Sequence, residues 1–357
     1  MDSLRLFASL LILIHHVEQF KLWSNLPNLY GDYWIKEIGR LGVSVFFVLS
    51  GFVVTNSFLK SLKKNKNISI KEYMQKRYSK LMPLYYLVLF LSLLVIPLFN
   101  KMVGVNLGYT KITVFNLLFY LLFFPDLLFI FGKPLLGISQ SWFLGVQEHL
   151  YIFWLFILKK LRKISLKTVI FIIAGKLVLL NSFYLLYSFI NSDLISKIIT
   201  GFIFVDFESV IIGSFGGYML FSSRQIKSKK IIFFLGLAYL ILSTVFNFAG
   251  LVKTEIIRYN FQIILSTIRA FSLLSVIFYI SFNEKLFPFN LSLFRRLGNY
   301  SYGIYMFHPF VSVFLINYLK LNKSLLENYF FIYSSVILLT AGVSIVYFRY
   351  VESRLVK

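Results

Sequence analysis

Leu4-Arg5-Leu6-Phe7-Ala8-Ser9-Leu10-Leu11-Ile12-Leu13-Ile14-His15-His16-Val17-Glu18-Gln19-Phe20 is an apolar run that carries a cation, two imidazoles and a carboxylate. As a helix it is about 26 Å long, close to the ~30 Å hydrocarbon core of a bilayer. Ionisable groups in such a place are costly and mark a functional site by default. Arg5 and His16 stand eleven positions apart. At about 100° per residue that is three turns plus roughly 20°, so the two share one helix face, about 16 Å apart along the axis. The cation falls near one mouth of the bilayer and His16 near its middle. His15 points about 100° away, toward lipid headgroups or a neighbouring helix. No small-residue cleavage site follows, so the run reads as a retained helix and not a signal peptide.

Outward from this run the whole chain has the same character. It is 357 residues long, 58% hydrophobic, with a mean hydropathy of +0.78. Soluble domains are closer to ~45–50% apolar. Eleven apolar segments can be drawn: 4–20, 41–59, 81–99, 112–131, 142–158, 168–190, 198–221, 231–249, 262–282, 299–319 and 329–349. They predict an all-α, polytopic transmembrane helical bundle forming one domain over 1–357. Cysteine is absent, which excludes disulfides, thiolate metal sites and a cysteine nucleophile; no metal is expected. The net charge of +23 sits in short loops between apolar runs. That is positive-inside topology, and no nucleic-acid partner is expected.

Loop charge also sets the span count. The loop 60–80 carries Lys60, Lys63, Lys64, Lys66, Lys71, Lys76, Arg77 and Lys80; the loop 159–167 carries Lys159, Lys160, Arg162, Lys163 and Lys167. Both are cytoplasmic only if one crossing between them is removed. Segment 112–131, broken by Pro125 and Asp126, is the one to remove, as a re-entrant or interfacial stretch. About ten spanning helices then remain, with both termini cytoplasmic. Arg224, Lys227, Lys229, Lys230, Lys285, Arg295, Arg296 and the tail Arg349, Arg354 and Lys357 all fall inside.

The remaining polar groups cluster at a few spans. Ser141-Trp142-Phe143-Leu144-Gly145-Val146-Gln147-Glu148-His149-Leu150-Tyr151 opens one with a carboxylate just within it; an interfacial cap with a belt tryptophan is the bland alternative. Ser301-Tyr302-Gly303-Ile304-Tyr305-Met306-Phe307-His308-Pro309 puts His308 mid-span before a proline, and a kink with a satisfied histidine is its bland alternative. Arg77, Lys80 and Pro83 stand at the cytoplasmic mouth of the third span, as topology signal or as phosphate ligands. Asp206 and Glu208 lie within another span with no cation close in sequence. No Walker A loop, GxSxG elbow, HExxH helix or CxxC pair is present.

At these residues the chain resembles the membrane acyltransferase-3 family, whose members acylate bacterial surface sugars. Asp2-Ser3-Leu4-Arg5 followed by His16 matches the family's opening pattern. Gly42-Val43-Ser44-Val45-Phe46-Phe47-Val48-Leu49-Ser50-Gly51-Phe52 is similar to its second-span motif, and Arg77-Tyr78-Ser79-Lys80-Leu81-Met82-Pro83 to its Arg-x-x-Arg-x-x-Pro mouth. Trp142 to Tyr151 resembles its Trp-Ser-Leu-x-Val-Glu-x-Gln-Phe-Tyr helix. Leu297-Gly298-Asn299-Tyr300-Ser301-Tyr302-Gly303-Ile304-Tyr305 through His308-Pro309 resembles its late-span motif. Departures are Leu6 for a glycine, Lys80 for an arginine, and Gln147 for a glutamate, with Glu148 one step and about 100° further round.

The resemblance implies a multi-pass protein of the bacterial inner membrane. Its donor would be cytoplasmic acyl-CoA, with acetyl-CoA the family-level expectation. Its acceptor would be a hydroxyl of a cell-surface or lipid-linked glycan, such as a polysaccharide or lipopolysaccharide. Membrane lipids and envelope-glycan assembly proteins would be its other partners. Such chemistry needs a base, a phosphate site and oxyanion donors. The expected catalytic residues are His16 as general base, with Arg5, Glu148 and His308. The expected donor-binding residues are Arg5, Arg77, Lys80 and Ser50. Two alternatives stand beside this reading. One is a secondary transporter or flippase for a sugar-containing or anionic substrate, although no paired halves are visible. The other is a family member without catalysis that serves as an assembly partner. No appended esterase-like domain is expected.

Overall fold

The computed structural model describes residues 1–64, 69–103, 113–161, 163–222, 229–246, 250, 252–282, 296–319 and 328–355. Among the sequence-derived loop cations, Lys66, Arg162, Arg224, Lys227, Lys285, Arg295 and Lys357 lie outside the described residues. The described elements are helical. In chain order they are α1 (Asp2–Trp23), α2 (Tyr33–Lys64), α3 (Ile70–Val103), α4 (Val114–Leu121), α5 (Leu128–Phe131), α6 (Trp142–Leu161), α7 (Leu166–Ile190), α8 (Asp193–Phe204), α9 (Phe207–Phe221), α10 (Lys229–Val245), α11 (Glu255–Phe282), α12 (Ser301–Leu319) and α13 (Tyr329–Tyr347). Short 3-10 turns cover Pro125–Leu127 and Ser139–Ser141; a π turn, Phe348–Glu352, and a last short helix, Ser353–Leu355, close the described series.

Among the described residues, eight stretches are long and apolar enough to cross a membrane: those of α2, α3, α6, α7, α8 with α9, α11, α12 and α13. The protein is an all-α polytopic membrane bundle. Several helices outrun their apolar segments because charged residues continue the backbone pattern at their ends. Thus α2 reaches Lys64 and α3 starts at Ile70. The doubtful segment 112–131 does not form a spanning helix. Its longest piece, α4, has eight residues, about 12 Å of rise. Phe123 then takes a left-handed φ of 63°, and Pro125 opens the following turn.

The side-chain distribution of α7 is inverted relative to a helix of a soluble protein. On α7, Phe171 is 79% and Phe189 80% exposed, whereas Lys176 of the same helix is 1% exposed. Water would penalise that arrangement; hydrocarbon around an interior of paired polar groups favours it.

The chain divides into two compact units. One, here the lysine unit, comprises Ser44–Tyr73 and Val146–Pro288, with Met1. The other, the histidine unit, comprises Asp2–Val43, Met74–Gly145 and Phe289–Lys357. In the lysine unit α2 and α9 cross backbone to backbone. A Cβ at Gly51 would fall on the Val210 carbonyl, one at Gly213 on Val48, and one at Gly217 on Phe52. Small residues allow this approach, and it replaces the hydrophobic effect that lipid cannot supply. In the histidine unit α1, α12 and α13 share an apolar core that includes Leu13, Val17, Ile304, Ile316, Ile332 and Val336.

Candidate functional site

The histidine unit is built around α1. Because α1 is unbroken from Asp2 to Trp23, Arg5 and His16 do lie on one stripe of one helix. At Gly42, α2 lies so close that a Cβ would sit 2.7 Å from the Ile12 side chain and 2.9 Å from the Ala8 carbonyl. His15 therefore faces α2 and not lipid: its Nδ1 lies 3.0 Å from the Ile35 carbonyl.

His16 meets His308. The His16 Nδ1 lies 2.7 Å from the His308 Nε2, and the rings are nearly parallel with centroids 5.0 Å apart. The other nitrogen of His308, Nδ1, lies 3.2 Å from the Ile304 carbonyl. That carbonyl can only accept, so Nδ1 of His308 carries its hydrogen. In a neutral pair the His308 Nε2 then accepts, and His16 donates from Nδ1. The chain of bonds leaves the His16 Nε2 as a lone pair. His308 is fully buried, while His16 is partly exposed. Pro309 contributes by lacking an N–H, which frees the Tyr305 carbonyl one turn back to interact with the His308 ring as well.

The end of this unit that holds Arg5 also holds the mouth cations. Arg5 is paired with Asp2 at 2.7 Å and keeps about a third of its side chain exposed, 33%. Ser9 ties α1 to α12: its hydroxyl lies 2.9 Å from the Arg5 carbonyl and 3.1 Å from that of Ser301. The turn before α12 closes on the start of α1, because a Cβ at Gly298 would sit 2.5 Å from the Asp2 backbone. Tyr302 donates to the Leu81 carbonyl at 2.8 Å, beside Lys80. Lys80 is exposed and interacts with Glu352 of the π turn after α13. Arg77, one turn earlier, is partly exposed. Arg5, Arg77 and Lys80 thus belong to the same end of the unit, and His16 lies about 16 Å further along α1.

The 3-10 turn before α6 is pinned to the same stretch of α12. Gln140 Nε2 donates to the Gly137 carbonyl at 3.1 Å and the Met306 carbonyl at 2.9 Å; Tyr305 donates its hydroxyl to the Gln140 carbonyl at 2.5 Å. At the other end of α1, Glu18 is fully buried. It accepts from the Leu29 amide at 2.5 Å, the Tyr333 hydroxyl at 2.8 Å and Lys21 at 3.3 Å. Its capacity is used within the fold, and it clamps the α1–α2 connection to α13.

Glu148 and Ser50 belong to the lysine unit. Glu148 is fully buried and Ser50 partly exposed. Gln147, at the position of the family's glutamate, donates to the Tyr151 hydroxyl at 3.0 Å within its own helix. The unit also contains an ion pair that sequence reasoning missed. Lys176 of α7 donates to Glu208 of α9 at 2.5 Å and to the Val205 carbonyl at 2.9 Å, where the helix breaks between α8 and α9. Ser266 of α11 donates to the other Glu208 oxygen at 2.5 Å. Asp206, at the break itself, accepts from Ser44 of α2 at 2.7 Å. The available signal was a lone cation in one apolar run and lone anions in another, which must find each other inside a bundle.

Residues 1–349 match the family described as an acyltransferase domain, so the chain belongs to that family, the one its motifs resemble. Among curated relatives it is 27% identical over 157 residues to the putative peptidoglycan O-acetyltransferase YrhL of Bacillus subtilis (strain 168), which covers 43% of this chain and 22% of that protein. It is 27% identical over 159 residues to the peptidoglycan O-acetyltransferase OatA of Listeria monocytogenes, covering 43% and 23%. With the O-acetyltransferase OatA of Staphylococcus aureus (strain NCTC 8325 / PS 47) the identity is 23% over 369 residues, covering 99% of this chain and 56% of that protein. The chain spans little more than half the length of these relatives at most. No solved structure matches.

Proposed function

We propose that this chain transfers an acyl group, acetyl in the first instance, from acyl-CoA to a hydroxyl of a cell-surface or lipid-linked glycan, with His16 as general base. The observation that carries the reading is the His16–His308 contact, which leaves the other imidazole nitrogen of a partly exposed residue free. In direct transfer the glycan oxygen attacks the thioester carbonyl. The new C–O bond forms as the C–S bond breaks, and the hydroxyl proton passes to His16 Nε2 and on to the departing thiolate. His308 holds His16 in the tautomer that can accept. Arg5, Arg77 and Lys80 would hold the donor's phosphates; the extended pantetheine arm is long enough to bridge the ~16 Å to His16. The acetyltransferase names of the relatives support the acyl group and the glycan acceptor. The same reading takes ten spans with both termini cytoplasmic in the bacterial inner membrane, so a reporter fused at Lys163 should report cytoplasm.

The test incubates purified protein with labelled acetyl-CoA and candidate glycans. Acceptor-dependent CoA release and label on the glycan are expected. Substrate movement across vesicles without CoA turnover would instead favour a transporter, a reading to which the broken α8–α9 span gives some support.

A further inference from the structure

Two buried polar atoms on the turn pinned to α12 have no hydrogen-bond partner within the protein. Gln140 is 1% exposed and Ser141 fully buried. The amide orientation of Gln140 is fixed, because its nitrogen faces two carbonyls, those of Gly137 and Met306, which cannot donate. Its Oε1 is therefore an acceptor, and it accepts nothing from the protein. Ser141 is the last residue of the 3-10 turn that runs directly into α6. Its Oγ makes no hydrogen bond within the protein. Leaving a buried polar group unsatisfied is costly, and here there are two on adjacent residues. The turn that carries them is held rigidly, by Gln140 on Met306 and by Tyr305 on Gln140, within one helical turn of His308.

The geometry points to a binding site for a secondary amide, with Gln140 Oε1 accepting the ligand N–H and the Ser141 hydroxyl donating to the ligand C=O. The inference rests on the acyl-transfer reading for its biological sense but not for its test. Two substrates of that reaction class can present a secondary amide: the pantetheine arm of the donor and an N-acylated amino sugar in the acceptor. The chemistry recognised is the same.

The experiment measures equilibrium binding to full-length protein in detergent, so it needs no turnover. Pantetheine is compared with an amide-free polyether thiol of equal length. Chitotriose is compared with cellotriose, which has a hydroxyl where the acetamide stands. Wild type should bind one amide ligand about tenfold more tightly than its amide-free counterpart, as one well-placed hydrogen bond pair allows. Ser141→Ala should erase that difference while leaving thermal stability unchanged, because the hydroxyl has no partner to lose. The pair that shows the effect identifies the source, donor arm or acceptor sugar. Equal binding of all four ligands by wild type, or a preference that survives in Ser141→Ala, overturns the proposal. Failure of acetyl transfer in the separate assay would instead overturn the enzymatic reading and leave the binding result standing.

Discussion

The Lys176–Glu208 pair of the lysine unit and the His16–His308 pair of the histidine unit are both buried polar contacts inside a lipid-facing bundle, yet they are built to opposite ends. Lys176 and Glu208 are saturated: the ammonium meets a carboxylate, a carbonyl and the Phe207 ring, and the carboxylate meets an ammonium and a hydroxyl. The ammonium and both carboxylate oxygens already have partners within the protein. The histidine pair is saturated on one side only, by the Ile304 carbonyl, and ends in a free nitrogen. Burying polar groups in a membrane is expensive in both cases. On the proposed function, completeness of the hydrogen bonding is what separates a structural fastening from a chemical tool. By the same criterion Glu18, which looked like a candidate ionisable group in the first span, is a fastening.

That contrast can be broken by substitution. The largest effect is expected in the lysine unit. Lys176→Met strands the Glu208 carboxylate and should destabilise the protein by about 3–5 kcal/mol, read as loss of folded yield and of thermal midpoint. Lys176→Met combined with Glu208→Leu removes both charges and should recover most of it; a double variant no better than the single would show that the pair has a further role. A smaller effect is expected from His308→Asn, which disturbs the orientation of His16 but not its presence. Acyl transfer should fall about 10–100-fold, in kcat more than in KM, with stability nearly unchanged, in the range seen for groups that orient a reacting ligand. A loss confined to KM would mean that His308 binds substrate and does not position the base.

Much of the architecture was legible in the sequence because lipid imposes a one-dimensional rule: a span must be apolar and long. The break at Pro125 and Asp126 announced that 112–131 would not form one helix, and α4 stops at Leu121. The Arg5–His16 stripe followed from helical periodicity alone. Contacts set by packing were not legible. Nothing in sequence ties Lys176 to Glu208, which stand on different helices 32 residues apart. Nor could Gln140 be seen to reach across 166 residues to Met306. The direction of His15 was open between lipid and protein until α2 approached at Gly39, where a Cβ would sit 2.6 Å from its ring.

Acyl transfer by His16→Ala tests the central claim most directly. With labelled acetyl-CoA and an accepted glycan, the rate should drop by ~10²–10⁴-fold while folded yield and CoA binding stay at wild-type levels. A rate within about threefold of wild type, far below the loss that removal of a general base entails, would contradict the account.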